Sequence, residues 1–245
     1  MTVKQYKACL FDMDGLLINS EDIYTKSFSK VLIENFGKEQ GLTWDVKVKL
    51  QGLQGPDACQ VVLDSYQLND VTTNMEFLRL TSEEQEKLWH TVQFLPGASE
   101  LIQYLHSRNI PMALCTSSSY DKFLAKTSHL QEFKLFGDKV VTGDDPEVTG
   151  KGKPLPYVWW TGLSKINKGR SEENAIKAEE CLVFEDAVLG FISGKRSNGY
   201  VIWVPDVRAV EVMEQDQIDE LVGPDNKHGT LLKSLEEFQP ASYGL

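Results

Sequence analysis

The chain of 245 residues is poor in cysteine, with four (Cys9, Cys59, Cys115, Cys181) standing far apart, no CxxC pair and no histidine at metal-ligand spacing. That excludes a disulfide framework or a zinc site and reads the four as buried, reduced thiols. Basic residues are also in deficit: 25 Lys and Arg stand against 36 Asp and Glu, a formal net charge of −11. Nucleic-acid binding draws its affinity from neutralised phosphates, which a chain without a dense basic cluster cannot supply. No stretch approaches the roughly 18 apolar residues of a membrane-spanning helix. The opening MTVKQYKACLFDMDG lacks the charged, apolar and small-residue regions of a secretory leader. The expectation is a soluble, cytoplasmic, monomeric protein with no nucleic-acid or membrane partner. Also missing are Gly-x-x-x-x-Gly-Lys-[Ser/Thr] and Gly-x-Gly-x-x-Gly strings, internal repeats and low-complexity tracts. The four histidines (His90, His106, His129, His228) share no ligand or triad spacing.

What is present is ample apolar material. A 41% hydrophobic and 25% charged composition excludes general disorder and provides for one large domain or two small ones. Short apolar runs at Tyr6 to Phe11, Pro111 to Cys115, Leu135 to Val141, Cys181 to Phe184 and Tyr200 to Val204 read as strands buried on both faces. Segments of helical period separate the later ones, beginning after Pro96-Gly97 and after Ser119. The class is therefore α/β with a parallel sheet. From Leu16 to Phe94 no strand run occurs. One helix there carries Ile23, Phe28, Val31, Leu32 and Phe36 and ends at Gly37, a second carries Ala58, Val61, Val62 and Tyr66, and a third is expected to start at Thr81-Ser82-Glu83-Glu84. Trp159-Trp160 reads as a helix face against the sheet.

The chemistry concentrates where strands end. Asp12 and Asp14 follow the first run directly and precede Gly15, so two carboxylates emerge at the crevice where open α/β sheets bind ligands. An Asp-Gly turn is the plainer alternative. Thr116 and Ser117 follow the second run and offer a hydroxyl and backbone N–H groups suited to an anion, or an ordinary helix cap. Lys153 lies on a stretch stiffened by Pro154 and Pro156, able to neutralise a phosphoryl oxygen or to sit as a surface lysine. Glu185 and Asp186 leave another strand, and a few hard oxygen ligands suit Mg²⁺. Four such placements together point to one site.

In this order, FDMDG, Thr116, Lys153 and Glu185-Asp186 resemble the haloacid dehalogenase-like hydrolases. GDDPEVTGKGKP, CLVFEDA and the ending LEEFQP are similar to the GS1-like phosphatases within them, pseudouridine-5′-phosphatase and glycerol-3-phosphatase relatives. The resemblance implies a Rossmann-like core of residues 1–15 and 95–245 and an inserted helical cap of residues 16–94. It implies an Mg²⁺-dependent phosphatase acting on a small phosphorylated metabolite, with Asp12 as nucleophile and Asp14 as general acid and base. Mg²⁺ would be held by Asp12, the Asp14 carbonyl and Asp186, with Glu185 in support. Thr116, the Ser117 N–H and Lys153 would bind the phosphoryl oxygens. A phosphomutase of the same superfamily and a non-catalytic metabolite-binding member are the alternatives.

Two departures stand out. Tyr157 occupies the place of a helix-capping Asp, a loss of about 0.5–2 kcal/mol expected to loosen the loop that carries Lys153. Gly190 to Gly199 is less helical than the family's Ala-rich version, Gly194 alone costing about 1 kcal/mol against Ala. In the insertion, Gln51-Gly52-Leu53-Gln54-Gly55 either reaches over the site or is a plain helix connection.

Overall fold

The computed structural model describes residues 5–245; residues 1–4, the start of the stretch read for a leader, lie outside them. Strands β1 (Ala8–Phe11), β2 (Met112–Cys115), β3 (Val140–Val141), β4 (Cys181–Glu185), β5 (Tyr200–Trp203) and β6 (Gly229–Leu231) form one parallel sheet in the order β3-β2-β1-β4-β5-β6. Strand β1 pairs with β2 on one side and β4 on the other, which places Cys9 opposite both Met112 and Leu182. Because side chains alternate across a sheet, Cys9, Phe11, Leu114 and Phe184 enter one apolar core while Leu10, Ala113, Cys115 and Val183 enter the other. That two-sided burial is why the strands are continuously apolar.

Between β1 and β2 lie α1 (Ser20–Phe36), α2 (Trp44–Leu50), α3 (Gly55–Tyr66) and α4 (Asn74–Glu86), which enclose a separate apolar cluster including Phe28, Leu32, Val62 and Phe77. Helices α5 (Ala98–Ser107), α6 (Tyr120–Thr127), α7 (Tyr157–Asn167), α8 (Val188–Arg196), α9 (Val207–Glu211) and α10 (Gln215–Val222) follow, with α5 in the first sheet core and α7, α8 and α10 in the second. Among the described residues no helix is long and apolar enough to cross a membrane. All four cysteines are free and buried, three of them on β1, β2 and β4.

Several expectations need correction. Of Leu135 to Val141 only Val140–Val141 is strand; Leu135 and Phe136 end a 3₁₀ turn, Gln131–Phe136, that turns Phe133 and Phe136 into the core before Gly137 breaks it. The Thr81 pattern starts no helix. Helix α4 begins seven residues earlier, where the Thr73 hydroxyl accepts from the Glu76 N–H, and Thr81 lies in mid-helix donating to the Phe77 carbonyl. Helix α2 and the edge strand β6 were not expected. Of the two tryptophans, Trp159 is fully buried but Trp160 is 44% exposed, since neighbours on a helix point about 100° apart.

Candidate active site

Asp12 follows β1 with its N–H still bonded to the Phe184 carbonyl at 3.0 Å, which fixes its position at the sheet's carboxyl end. Its carboxylate accepts from the ammonium of Lys153, which also donates to Glu185; all three are buried. The Lys153 ammonium stands 4.8 Å from the centre of the Trp159 ring. The other Glu185 oxygen accepts from the backbone N–H groups of Asp186 and Ala187, at 2.9 and 3.0 Å, just ahead of α8. Such an anion at a helix start is favourably placed.

Asp12, Glu185 and Asp186 can each offer an oxygen within 4.8 Å of the others. Burial, aided by neighbouring carboxylates, pushes the Asp12 and Asp186 carboxyls above their usual range, and Lys153 only partly counters it. Three buried carboxylates against one ammonium form a donor set with excess negative charge, which suits a hard divalent cation. The Asp14 carbonyl, free of donors among the described residues, can complete that set. Gly15 is necessary here: its φ is +81°, and a Cβ would lie 2.3 Å from an Asp186 oxygen. Gly190 is equally constrained, since a Cβ would meet the Glu185 carboxyl at 1.9 Å. One turn on, a Cβ at Gly194 would lie 2.9 Å from Val183 and Val201. The glycines that weaken α8 as a helix thus let it approach the sheet.

At the end of β2 the Thr116 hydroxyl accepts from the Ser118 N–H at 3.1 Å, and the Ser117 N–H has no partner among the described residues. The Ser117 hydroxyl donates to the Gly52 carbonyl at 3.0 Å, and the Gln54 amide donates to the Gly143 carbonyl at 2.9 Å. The 51–55 segment therefore reaches over the strand ends. A cavity of about 400 Å³ lies there, lined by Asp12, Asp14, Thr116, Ser117 and Asp186 and, from the insertion, by Gln51 to Gly55. Lys153 adjoins that lining through its bond to Asp12, and Glu185 through its bond to Lys153.

Asp14 shows a group that the sequence reading missed. Its carboxylate accepts from Ser20 at 2.5 Å, from Lys126 at 2.6 Å and from Ser118 at 2.8 Å. Burial pushes the Asp14 carboxyl up, but the Lys126 ammonium and these hydrogen bonds outweigh it and hold it below its usual value. Lys126 is fully buried in α6, three residues after Phe123 on the same face. A lysine at that spacing from a core residue is the one signal in the sequence that marks it.

The loop carrying Lys153 has anchors other than a helix cap. Tyr157 starts α7 without a side-chain cap, yet the Ser193 hydroxyl donates to the Leu155 carbonyl at 2.7 Å and Arg196 donates to the Pro154 carbonyl at 3.0 Å. Trp159 in turn donates to Ser193 at 2.9 Å. The anchors come from α8, inside the stretch that departs from the family pattern.

Known proteins resemble this chain over most of its length. The family model of haloacid dehalogenase-like hydrolases matches residues 9–204. A Saccharomyces cerevisiae protein described as "Probable pseudouridine-5'-phosphatase" is 49% identical over 241 residues, 98% of this chain and 97% of its own. A (DL)-glycerol-3-phosphatase of Arabidopsis thaliana is 30% identical over 236 residues, 96% of this chain and 90% of its own. Among solved structures, a family IA hydrolase from Entamoeba histolytica superposes with a TM-score of 0.73 at 18% identity, over 97% of each chain.

Proposed function

The chain belongs to the haloacid dehalogenase-like hydrolase family, and from that premise we propose that it is an Mg²⁺-dependent phosphatase of small phosphate monoesters. The observation that carries this reading is the meeting of Asp12, Asp14, Thr116, Ser117 and Asp186 on one cavity, with Lys153 in contact with Asp12. The names of the relatives, a pseudouridine-5'-phosphatase and a glycerol-3-phosphatase, support a phosphorylated small molecule as substrate. Residues 16–94 serve as the cap over a core of residues 1–15 and 95–245.

In this reading an Asp12 oxygen attacks phosphorus and the ester bond to the leaving oxygen breaks, giving an aspartyl-phosphate. Asp14, as the acid, gives its proton to the leaving oxygen. As a carboxylate it then takes a proton from the water that attacks the aspartyl-phosphate, releasing inorganic phosphate and Asp12. Lys126 favours the carboxylate, the form needed in this second half. The Thr116 hydroxyl, the Ser117 N–H and Lys153 bind the phosphoryl oxygens. Asp12, the Asp14 carbonyl and Asp186, with Glu185 in support, would hold Mg²⁺, which would supply positive charge against the repulsion between two anions.

The test is phosphate release from a panel of pseudouridine 5′-phosphate, glycerol 3-phosphate, sugar phosphates and flavin mononucleotide. Turnover should appear with Mg²⁺ and vanish with chelation or in Asp12→Asn. Activity that survives either change refutes the mechanism; transfer of phosphate between sugar positions without release identifies a mutase.

A further inference from the structure

The ammonium of Lys126 has three N–H groups, and each has an acceptor: Asp14 at 2.6 Å, the Tyr24 hydroxyl at 2.7 Å and the Ser118 hydroxyl at 2.8 Å. The Ser118 hydroxyl donates in turn to the second Asp14 oxygen at 2.8 Å, so Lys126, Ser118 and Asp14 close a small ring of hydrogen bonds. Above the ammonium lie the rings of Tyr24 and Trp89, their centres 4.8 and 4.9 Å away. No part of Lys126 reaches solvent. A buried ion pair of this kind contributes little net stability compared with apolar residues of the same volume. What it does impose is geometry.

An aspartate that has left its strand beside a cavity of about 400 Å³ would otherwise sample several side-chain orientations. Here its two oxygens are held by donors from three separate segments: Ser20 at the start of α1, Ser118 in the loop after β2, and Lys126 in α6. Two of the groups in the network, Ser20 and Tyr24, belong to the first turns of α1. Asp14 therefore has its full set of partners only when α1 is seated against α6.

We propose that Lys126 is a positioning residue for Asp14, fixing the carboxyl that handles the leaving-group proton and making its placement depend on the seating of α1. This rests on the reading of Asp14 as acid and base given above. The claim concerns orientation, so its mark in the ester-cleaving step is a loss confined to substrates that need a well-placed proton donor.

The experiment compares Lys126→Met with the parent enzyme on two esters: an alkyl phosphate from the panel and 4-nitrophenyl phosphate, whose leaving group departs without a proton. General acid–base catalysis contributes about 10²–10⁴-fold, so imperfect placement should lower kcat on the alkyl ester by roughly 10–100-fold with KM little changed. The nitrophenyl ester should keep its rate of aspartyl-phosphate formation, read as nitrophenolate release in a single turnover, within about threefold, because the water-activating step that also uses Asp14 comes after it. Adding Lys126→Met to Asp14→Ala should produce no further loss, because the substitution acts through Asp14. Equal losses on both esters in the single-turnover cleavage step, or losses that multiply in the double variant, overturn the proposal. Tyr24→Phe, which keeps the ring and removes one acceptor, should give the same selective loss at smaller size and replaces Lys126→Met if that variant does not fold; an equal loss on both esters counts against the proposal there too. A crystal structure of either variant reads the claim without activity. Asp14 should turn from its present orientation, and an unmoved carboxylate refutes the positioning role. Failure of the parent enzyme to hydrolyse any ester refutes the phosphatase reading instead, leaving the structural comparison to decide the fate of Lys126.

Discussion

Ser193→Ala is the substitution whose outcome can be worked most fully from the structure. Ser193 is completely buried; its hydroxyl accepts from the Trp159 indole N–H at 2.9 Å and donates to the Leu155 carbonyl at 2.7 Å. Alanine fills nearly the same volume but can do neither. The buried Trp159 N–H left without a partner costs about 1–3 kcal/mol, and the carbonyl of the exposed Leu155 adds less, so the fold should lose roughly 1–4 kcal/mol. In a chain of this length each kcal/mol moves the melting temperature by about 2–4 °C, which puts a loss of about 3 kcal/mol at roughly 6–12 °C. Denaturant titration with Mg²⁺ present gives the free energy, and Trp159→Phe serves as the control. That change removes the donor and leaves the Ser193 to Leu155 bond, but it also opens a cavity where the buried indole stood, so about 2–4 kcal/mol is expected, with the Lys153 loop still tied to α8. Because Leu155 lies two residues from Lys153, and Trp159 supplies the ring beside the Lys153 ammonium, phosphate release should fall with stability. A Ser193→Ala protein within about 0.5 kcal/mol of the parent, the ordinary effect of a surface change, refutes the idea that α8 anchors this loop.

Two further outcomes follow from the carboxylates. Asp12 and Asp186 have carboxyls raised in the folded state, so the metal-free fold binds protons more tightly than the unfolded chain. Its stability from these groups falls as pH rises from the ordinary carboxylate range through their raised values. The melting-temperature gain on adding Mg²⁺ should therefore be larger at pH 8 than at pH 5, and an equal or smaller gain at pH 8 contradicts the assignment. Gly15→Ala should lose about 1–2 kcal/mol from its left-handed backbone. It should also weaken Mg²⁺ binding, measured by calorimetry, by about 10–100-fold as the new Cβ displaces Asp186; unchanged affinity would separate Asp186 from the metal.

The sequence announced its sheet wherever strands are buried on both faces, because there the apolar run is unbroken: Ala8–Phe11, Met112–Cys115 and Cys181–Glu185 are instances. It was silent about Gly229–Leu231, an edge strand of three residues with no apolar run to display. Thr81-Ser82-Glu83-Glu84 misled because a threonine hydroxyl can bond the carbonyl four residues back in mid-helix as readily as it caps an end. At the site, residues next to strand ends were legible by position alone. Lys126 was not, since a lysine after Phe123-Leu124 looks like an ordinary solvated side chain until Asp14 is brought to it from 112 residues away. The anchoring of the Lys153 loop by Ser193 and Arg196 was hidden for the same reason, the partners being 38 and 42 residues distant.

The central place of β1 also has a consequence for the nascent chain. One neighbour, β2, emerges about a hundred residues later, and the other, β4, about 170 residues later. At roughly 5–20 residues per second of synthesis, the four apolar residues Ala8–Phe11 wait on the order of 10–30 s for their second flank. During that interval an unpaired apolar edge is open to the ribosome's surroundings, and α1–α4, with an apolar cluster of their own, are the first part able to bury anything. Folding in the cell should therefore be the stage most sensitive to chaperone supply, ahead of the stability of the finished enzyme.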